Sequence, residues 1–326
     1  MLSNRFLNDK LGLLVTGGKE RAQRGSDNLS AGYYIVREKR EGEPFAPISV
    51  SSANLSYVDE MRERSGFSVV MDYRLPKTKL MLSNFMSRLD RDEIVNSNSY
   101  ALTDNWRDLE FRNRLTQTDI LSNSFSAEHQ LGFGKLDWRV GRSSSLKRIP
   151  FNSFFRFRER SAFDQSMIPA ENFGPDVLVA AAFDNYEEMG SQTATFTTER
   201  SFERDYSAQI NFEKPFTMSK KIAGYVKLGG KYTDKIKERD KNHARRFLNS
   251  KLPAFELYHT QYGQPGFAYK TITTGYPAVS NYLDESFDAG HFLNGKYPFT
   301  HGYDTDELNH LRSEEHTSEL QSPNTI

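Results

Sequence analysis

The residue types able to do chemistry fall into four places in the chain. Asp304, Asp306 and Glu307, with His301 and His310 close by, offer carboxylate oxygens and imidazole nitrogens, which are ligands for calcium and for transition metals. Their spacing completes neither an EF-hand nor a zinc pattern, so a polar loop explains them better and no metal site is expected. Gly17-Gly18-Lys19 has the outline of a phosphate loop. Leu13, however, stands where that motif needs its first glycine, and Glu20 where it needs Ser or Thr, so a plain strand is expected. Glu199, Glu203 and Asp205 share one face of a predicted strand, as paired acid–base chemistry would require. Lys221, Lys227, Lys231, Lys235 and Lys237 fall on the next strand, and cross-strand pairing accounts for both stripes without catalysis. A second role open to the lysines is to line a path for an anionic solute. The fourth place is aromatic. Tyr258, Tyr262, Phe267, Tyr269, Tyr276 and Tyr282 belong to a run of rings between 255 and 303, and rings give contact area at low entropy cost and stack on sugar faces or aryl chelators. These six are the expected ligand contacts, although the same rings would equally give a long loop its own small core. No catalytic residue and no cofactor is expected, and the chain reads as a binding protein, not an enzyme.

The elements that must position these groups are strands. Residues 108–142 alternate, with Leu109, Phe111, Leu115, Leu121, Phe125, Ala127 and Leu131 on one parity and mostly Asp, Glu, Arg, Ser and Thr on the other; Ile120 breaks the polar parity, and Asn113, Gln117, Asp119, Asn123 and His129 break the apolar one. After a Gly-Phe-Gly turn at 132–134 the alternation resumes with Leu136, Trp138 and Val140. Strands of soluble domains run about 3–10 residues, and these arms are longer. The same signature recurs over 11–16, 67–75, 194–214 and 221–237, and less cleanly over 79–92. Between these segments, the polar stretches 21–66, 93–106, 143–190 and 238–311 read as long connections, the first with a short helix over 58–64 and the third with a helix capped by Asp176. Short turns are expected at 76–78, 132–134 and 215–220.

Composition agrees with a sheet wetted on one side. Aromatics make up 13% of the 326 residues but hydrophobic residues only 37%, and mean hydropathy is −0.68, which a helical core would not produce. The longest apolar run, 177–183, falls far short of the roughly 20 residues of a membrane-crossing helix. A formal net charge of +0 argues against a nucleic-acid partner, and the absence of cysteine removes any disulfide framework.

Short and long connections alternate, so in an antiparallel meander the short turns gather at one rim and the long loops at the other. Transmembrane β-barrels of the bacterial outer membrane have this asymmetry, with a lipid-facing apolar belt and aromatic girdles. Tyr73, Trp138, Phe212 and Tyr232 are the expected girdle residues, and Leu109, Phe111, Leu115 and Trp138 are expected to face lipid. About seven strands are visible. The fold class is therefore all-β, an open antiparallel meander forming an incomplete slice of a large transmembrane β-barrel with long extracellular loops. A soluble extracellular β-rich glycan-binding module is the alternative, and it would need a second sheet packed on the apolar face.

The segments NRFLNDKLGLLVTG (4–17), SGFSVVMDYRLPK (65–77), SNFMSRLDRDEI (83–94) and GYVKLGGKYTDK (224–235) resemble the barrel region of TonB-dependent outer-membrane receptors of the Bacteroidetes type. The resemblance covers roughly 1–311. It implies residence in the cell outer membrane, contact with outer-membrane lipid, energised uptake of a nutrient such as a siderophore or glycan, and a surface lipoprotein as a possible partner. It further implies coupling to the TonB complex through a plug domain that this stretch does not contain. Residues 312–326 are a separate matter, since RSEEHTSELQS (312–322) resembles a translated sequencing adapter and is expected to be non-native.

Overall fold

A computed structural model describes residues 1–219, 222–246, 272–306 and 308. Eight strands form one antiparallel sheet in chain order: β1 (Leu2–Phe6), β2 (Leu11–Ile35), β3 (Ile48–Leu75), β4 (Thr78–Ala101), β5 (Trp106–Leu131), β6 (Gly134–Arg160), β7 (Gly190–Ser219) and β8 (Ile222–Arg246). The sheet does not close on itself, and β1 and β8 are its edges. A six-residue helix, α1 (Pro175–Ala180), and a two-stranded ribbon, β9 (Leu283–Asp284) with β10 (Gly302–Tyr303), lie in the connections. No helix among the described residues is long and apolar enough to cross a membrane.

The strands are longer than periodicity alone indicates. Residues 21–66 are not an irregular loop: β2 reaches Ile35, β3 starts at Ile48, and the helix expected over 58–64 is strand, with Val58 opposite Ser26 and Arg64 opposite Glu20. Likewise β4 runs on to Ala101, leaving only 102–105 as connection, and β6 carries the SFFRFRER segment to Arg160. β8 extends to Arg246, past the expected end at 237. The reason is physical. Over 20–28 and 59–64 both faces are almost wholly polar, so the period-2 signal fades, but the backbone still pairs with a neighbouring strand, and ion pairs link the side chains. Glu63 meets Lys19 at 3.8 Å and Arg21 at 3.3 Å, and Gln23 donates to Asp59 at 3.2 Å. Pro150, which cannot donate to a ladder, falls where the β6 register shifts against both neighbours, as proline inside a sheet requires. The strand count is eight, not seven, because 2–6 pair with 11–15 as a strand of their own. Helix α1 begins at Gly174 and Pro175, with Asp176 in its first turn and not at the cap.

Connections 7–10, 76–77 and 132–133 gather at one end of the sheet, and 36–47, 102–105 and 161–189 at the other. The two-rim arrangement expected from the sequence is present, although 102–105 is short.

Cross-strand registers turn the alternation into two distinct faces. Toward the short-turn end, one row reads Leu13–Met71–Leu82–Phe125–Val140–Ala208–Tyr232, and a parallel row reads Leu11–Tyr73–Leu80–Ala127–Trp138–Ile210–Gly230. The row between them, on the opposite face, is Gly12–Asp72–Met81–Ser126–Arg139–Gln209–Lys231. One face therefore carries a continuous apolar belt, and the other carries mostly polar and small residues. Met86, Ile210 and Tyr232 are 55%, 54% and 68% exposed, and among the described residues no second sheet covers the belt.

Close approach of β6 to β7 depends on Gly134, where a Cβ would stand 2.5 Å from the Glu213 carbonyl oxygen and 3.0 Å from the Phe212 ring. Gly134→Ala is expected to destabilise by about 1–3 kcal/mol through overpacking. Gly18→Ala, with nothing within 4 Å of its Cβ position, is expected to leave thermal unfolding, followed by circular dichroism, unchanged.

Candidate functional site

Above the belt, toward the long-loop end, the same sheet face is covered. Leu109 and Phe111, expected at lipid, are each 1% exposed, because residues 278–308 fold down over them. Phe157 packs against Tyr282 with ring centroids 5.5 Å apart and stacks on Tyr303 at 6.1 Å, while Phe111 meets Tyr303 at 5.2 Å. A neighbouring cluster joins Leu55 and Tyr100 of the sheet to Phe163, Leu178 and Phe299 of the loops. The sheet thus supplies a row of apolar side chains, and the long connections supply the rings that bury them.

Of the six expected ligand contacts, Tyr258, Tyr262, Phe267 and Tyr269 lie outside the described residues. Tyr282 is 1% exposed and belongs to the core beneath the loop. Tyr276 is half-buried beside Gly190, and its carbonyl accepts the Ile272 N–H at 2.9 Å. Of these two rings, Tyr282 is part of the core that the loop forms on the sheet. The Tyr303 hydroxyl is buried without a hydrogen-bond partner, and burial pushes its ionisation well above the usual tyrosine range.

The other chemical candidates resolve into local structure. Gly17-Gly18-Lys19 lies within β2, with no helix after it. Glu199 accepts from Arg239 at 2.8 Å, and Lys235 reaches Glu203 at 2.5 Å and Asp205 at 4.0 Å, so these acids are cross-strand ion pairs. Lys221 lies outside the described residues, as do Glu307 and His310. Asp304 accepts the Asp306 N–H at 2.9 Å, and His301 lies against the Tyr186 ring at 4.1 Å, where burial and Arg107 lower its pKa. Among the described residues no three His, Cys, Asp or Glu side chains gather as a metal site would need.

Three arginine arrangements were not legible in the sequence. Arg107, 2% exposed, lies between the rings of Tyr100 at 5.2 Å and Tyr186 at 5.5 Å and pairs with Asp184, which pins the loop after α1 to the sheet. Arg37 joins two loops. It meets Glu43 at 2.7 Å and Glu171 at 2.9 Å, and Glu43 also accepts the Arg40 backbone N–H at 2.8 Å. On the opposite sheet face, Arg24, Arg62, Arg91, Arg112 and Arg114, together with Glu60 and Glu93, line a hollow of about 890 Å³ across β2–β5. Sequence reading placed these residues in connecting loops or on a wetted face. Their one signal is parity, even on β3 and β5 and odd on β4, which acquires meaning only once the registers are known.

No family model matches the chain, and no curated protein or solved structure matches it either.

The Arg37 hydrogen bonds, and then the Arg40 amide, hold the Glu43 carboxyl at about 2, below its ordinary 4.5. A depressed carboxylate contributes stability that is complete above its unfolded value and is lost as pH falls through the folded one. Limited proteolysis of loops 36–47 and 161–189 is therefore expected to stay slow down to about pH 4.5 and to accelerate as pH approaches 2. In Arg37→Gln cleavage is fast at every pH. Phe157→Ala is expected to cost about 3–5 kcal/mol and to expose 278–306 to the same protease at neutral pH.

Proposed function

We propose that the chain forms part of the wall of an outer-membrane β-barrel belonging to a TonB-dependent receptor that takes up a nutrient under energy coupling. The observation that carries this reading is the exposed apolar belt across β2–β8, broken on its own face by one row with Asn84, Asn123 and Arg142 before Phe67, Met86 and Leu121 resume it, and with a polar row behind it. Each large side chain left out of a core forgoes about 1.5–3 kcal/mol of burial, so a belt of this extent needs an apolar environment. Lipid supplies it. The belt's height fits, because 121–131 of β5 and 67–75 of β3 match the roughly 9–11 residues with which a tilted strand crosses a bilayer. The remaining length of each strand then projects beyond the membrane and carries the long loops, while the short turns lie at the periplasmic end. Trp138, whose indole N–H donates to His129 at 3.2 Å, and Tyr73 stand near that end, where aromatic rings favour the headgroup level.

The assignment to TonB-dependent receptors rests on the four resembling segments, which lie in β1–β2, β3, β4 and β8. On this reading the polar face lines the lumen, and the loop domain above the belt is extracellular.

The test is fractionation of the full-length protein. It is expected in the outer membrane, with heat-dependent gel migration. Leu82→Arg, in the middle of the belt, is expected to lose about 2–4 kcal/mol of insertion free energy and to lower the membrane-assembled fraction. Recovery of the wild-type protein from the aqueous fraction, with retention on an insoluble glycan, would replace the barrel by the soluble binding module.

A further inference from the structure

We infer that the hollow on the polar face of β2–β5 binds a small extended polyanion, a solute carrying two or more carboxylate, sulfate or phosphate groups along its frame. The inference rests on the barrel reading only in making that solute the transported one; the binding site stands on its own geometry. Arg91 donates to Glu60 at 2.5 Å and also pairs with Glu93, which accepts from Arg114 at 2.6 Å. These four side chains form a neutral chain across three strands. Glu93 is 5% exposed, so the chain is held firmly against the sheet. Three further guanidiniums line the same hollow. Arg24 reaches only Glu20, at 3.8 Å and well exposed. Arg62 and Arg112 have no carboxylate within ion-pair distance among the described residues.

The fold does not require this surplus charge. Arg62 stands directly opposite Arg91 in the β3–β4 register, and like charges in that position destabilise a sheet. Arg112 is oriented by the Phe154 ring, 5.9 Å from its guanidinium carbon, with Arg156 lying at 5.5 Å from the same ring. An anion in the hollow relieves both positions at once, and the planar guanidinium fork matches carboxylate, sulfate and phosphate oxygens. The chain's zero net charge conceals this local excess.

Spacing sets the ligand's shape. Arg62 pairs with Arg91, and Arg91 with Thr116, so Arg112 lies two strands across from Arg62 and four residues along. With neighbouring strands about 4.8 Å apart and a rise of about 3.4 Å per residue, the two Cα atoms are separated by roughly 17 Å. Both arginines line the one hollow, so a solute with anionic groups spaced along its frame touches both.

The experiment measures calorimetric binding to the full-length protein in detergent micelles. The probes are trigalacturonate, inorganic tripolyphosphate and the neutral sugar maltotriose. Trigalacturonate is expected to bind, weakening with added salt, and maltotriose is not. The double variant Arg62→Gln, Arg112→Gln is expected to weaken trigalacturonate binding at least about tenfold, while Arg62→Lys, Arg112→Lys, which keeps the charge but not the fork, weakens it less. On the unaltered protein, trigalacturonate is expected to protect Arg62 and Arg112 from phenylglyoxal, a readout that does not depend on the variants folding. Equal affinity for maltotriose or no loss in the glutamine variant overturns the proposal, whereas tripolyphosphate binding that weakens in the glutamine variant supports it. So does phenylglyoxal protection without any added probe, which would place another segment of the protein in the hollow. A protein that fractionates with the outer membrane but ignores trigalacturonate removes the site and leaves the barrel. A soluble protein that binds it keeps the site and removes transport.

Discussion

The constraint on which the structure depends is the pairing of backbone amides and carbonyls along seven strands of 24 to 30 residues. A strand of such length cannot be stable alone, and many of these segments are rich in Ser, Asn, Asp and Arg, which contribute little strand preference. β3 to β7 are held because their neighbours offer a ladder on both sides, whereas β2 meets β1 over five residues only and β8 pairs with β7 alone. Register follows from the ladder, and because side chains alternate with period 2, register alone decides which face every residue occupies. A slip of one residue in β4 would carry Leu80, Leu82 and Met86 to the polar face and Lys79 and Ser83 into the belt.

The two faces then meet different surroundings along the strands. Near the short turns the apolar parity is bare, while near the long loops it is covered by the connections themselves, which fold back with Tyr282, Tyr303, Phe292 and Phe299. The change from bare to covered is marked by charge. On the belt face Arg88 bonds Asp90 at 3.0 Å and Arg148 bonds Asp119 at 2.7 Å, directly above Met86 and Leu121. A belt bounded by ion pairs and surmounted by a loop domain is what a boundary between hydrocarbon and water would select.

Charge is partitioned differently on the other face. There, acids and bases alternate across strands, as in Asp108 with Arg158 at 2.7 Å and Glu110 with Arg156 at 2.6 Å, and Arg158 stacks on Trp106 at 4.0 Å. Cross-strand pairs of this kind stabilise modestly where exposed. Where a base lacks an acid, as at Arg62 and Arg112, the surface retains a charge for something other than the fold.

The sequence by itself determined the all-β class, the belt parity of β3, β5, β6 and β7, the short turns at 76–77 and 132–133 and the cross-strand role of Glu199, Glu203 and Asp205. These follow from local rules: alternation where one face is apolar, Gly and Pro at turns, and opposite charges on adjacent predicted strands. The turn expected over 215–220, by contrast, is strand as far as 219, with Pro215 opposite Tyr225. The extension of the strands through 21–35, 48–66, 93–101 and 143–160 was invisible, because much of this length is polar on both faces, and where Leu55, Tyr100, Phe155 and Phe157 are apolar only the neighbouring strands and loops decide what they pack against. The fate of Leu109, Phe111 and Tyr282 was likewise undetermined, since alternation says which side chains share a face and nothing about what covers that face. Only the tertiary structure decided that loops bury the upper part of the apolar row, and that arginines from β2, β3, β4 and β5 converge on one hollow. Both depend on contacts between residues far apart in sequence, which the register of the sheet brings together.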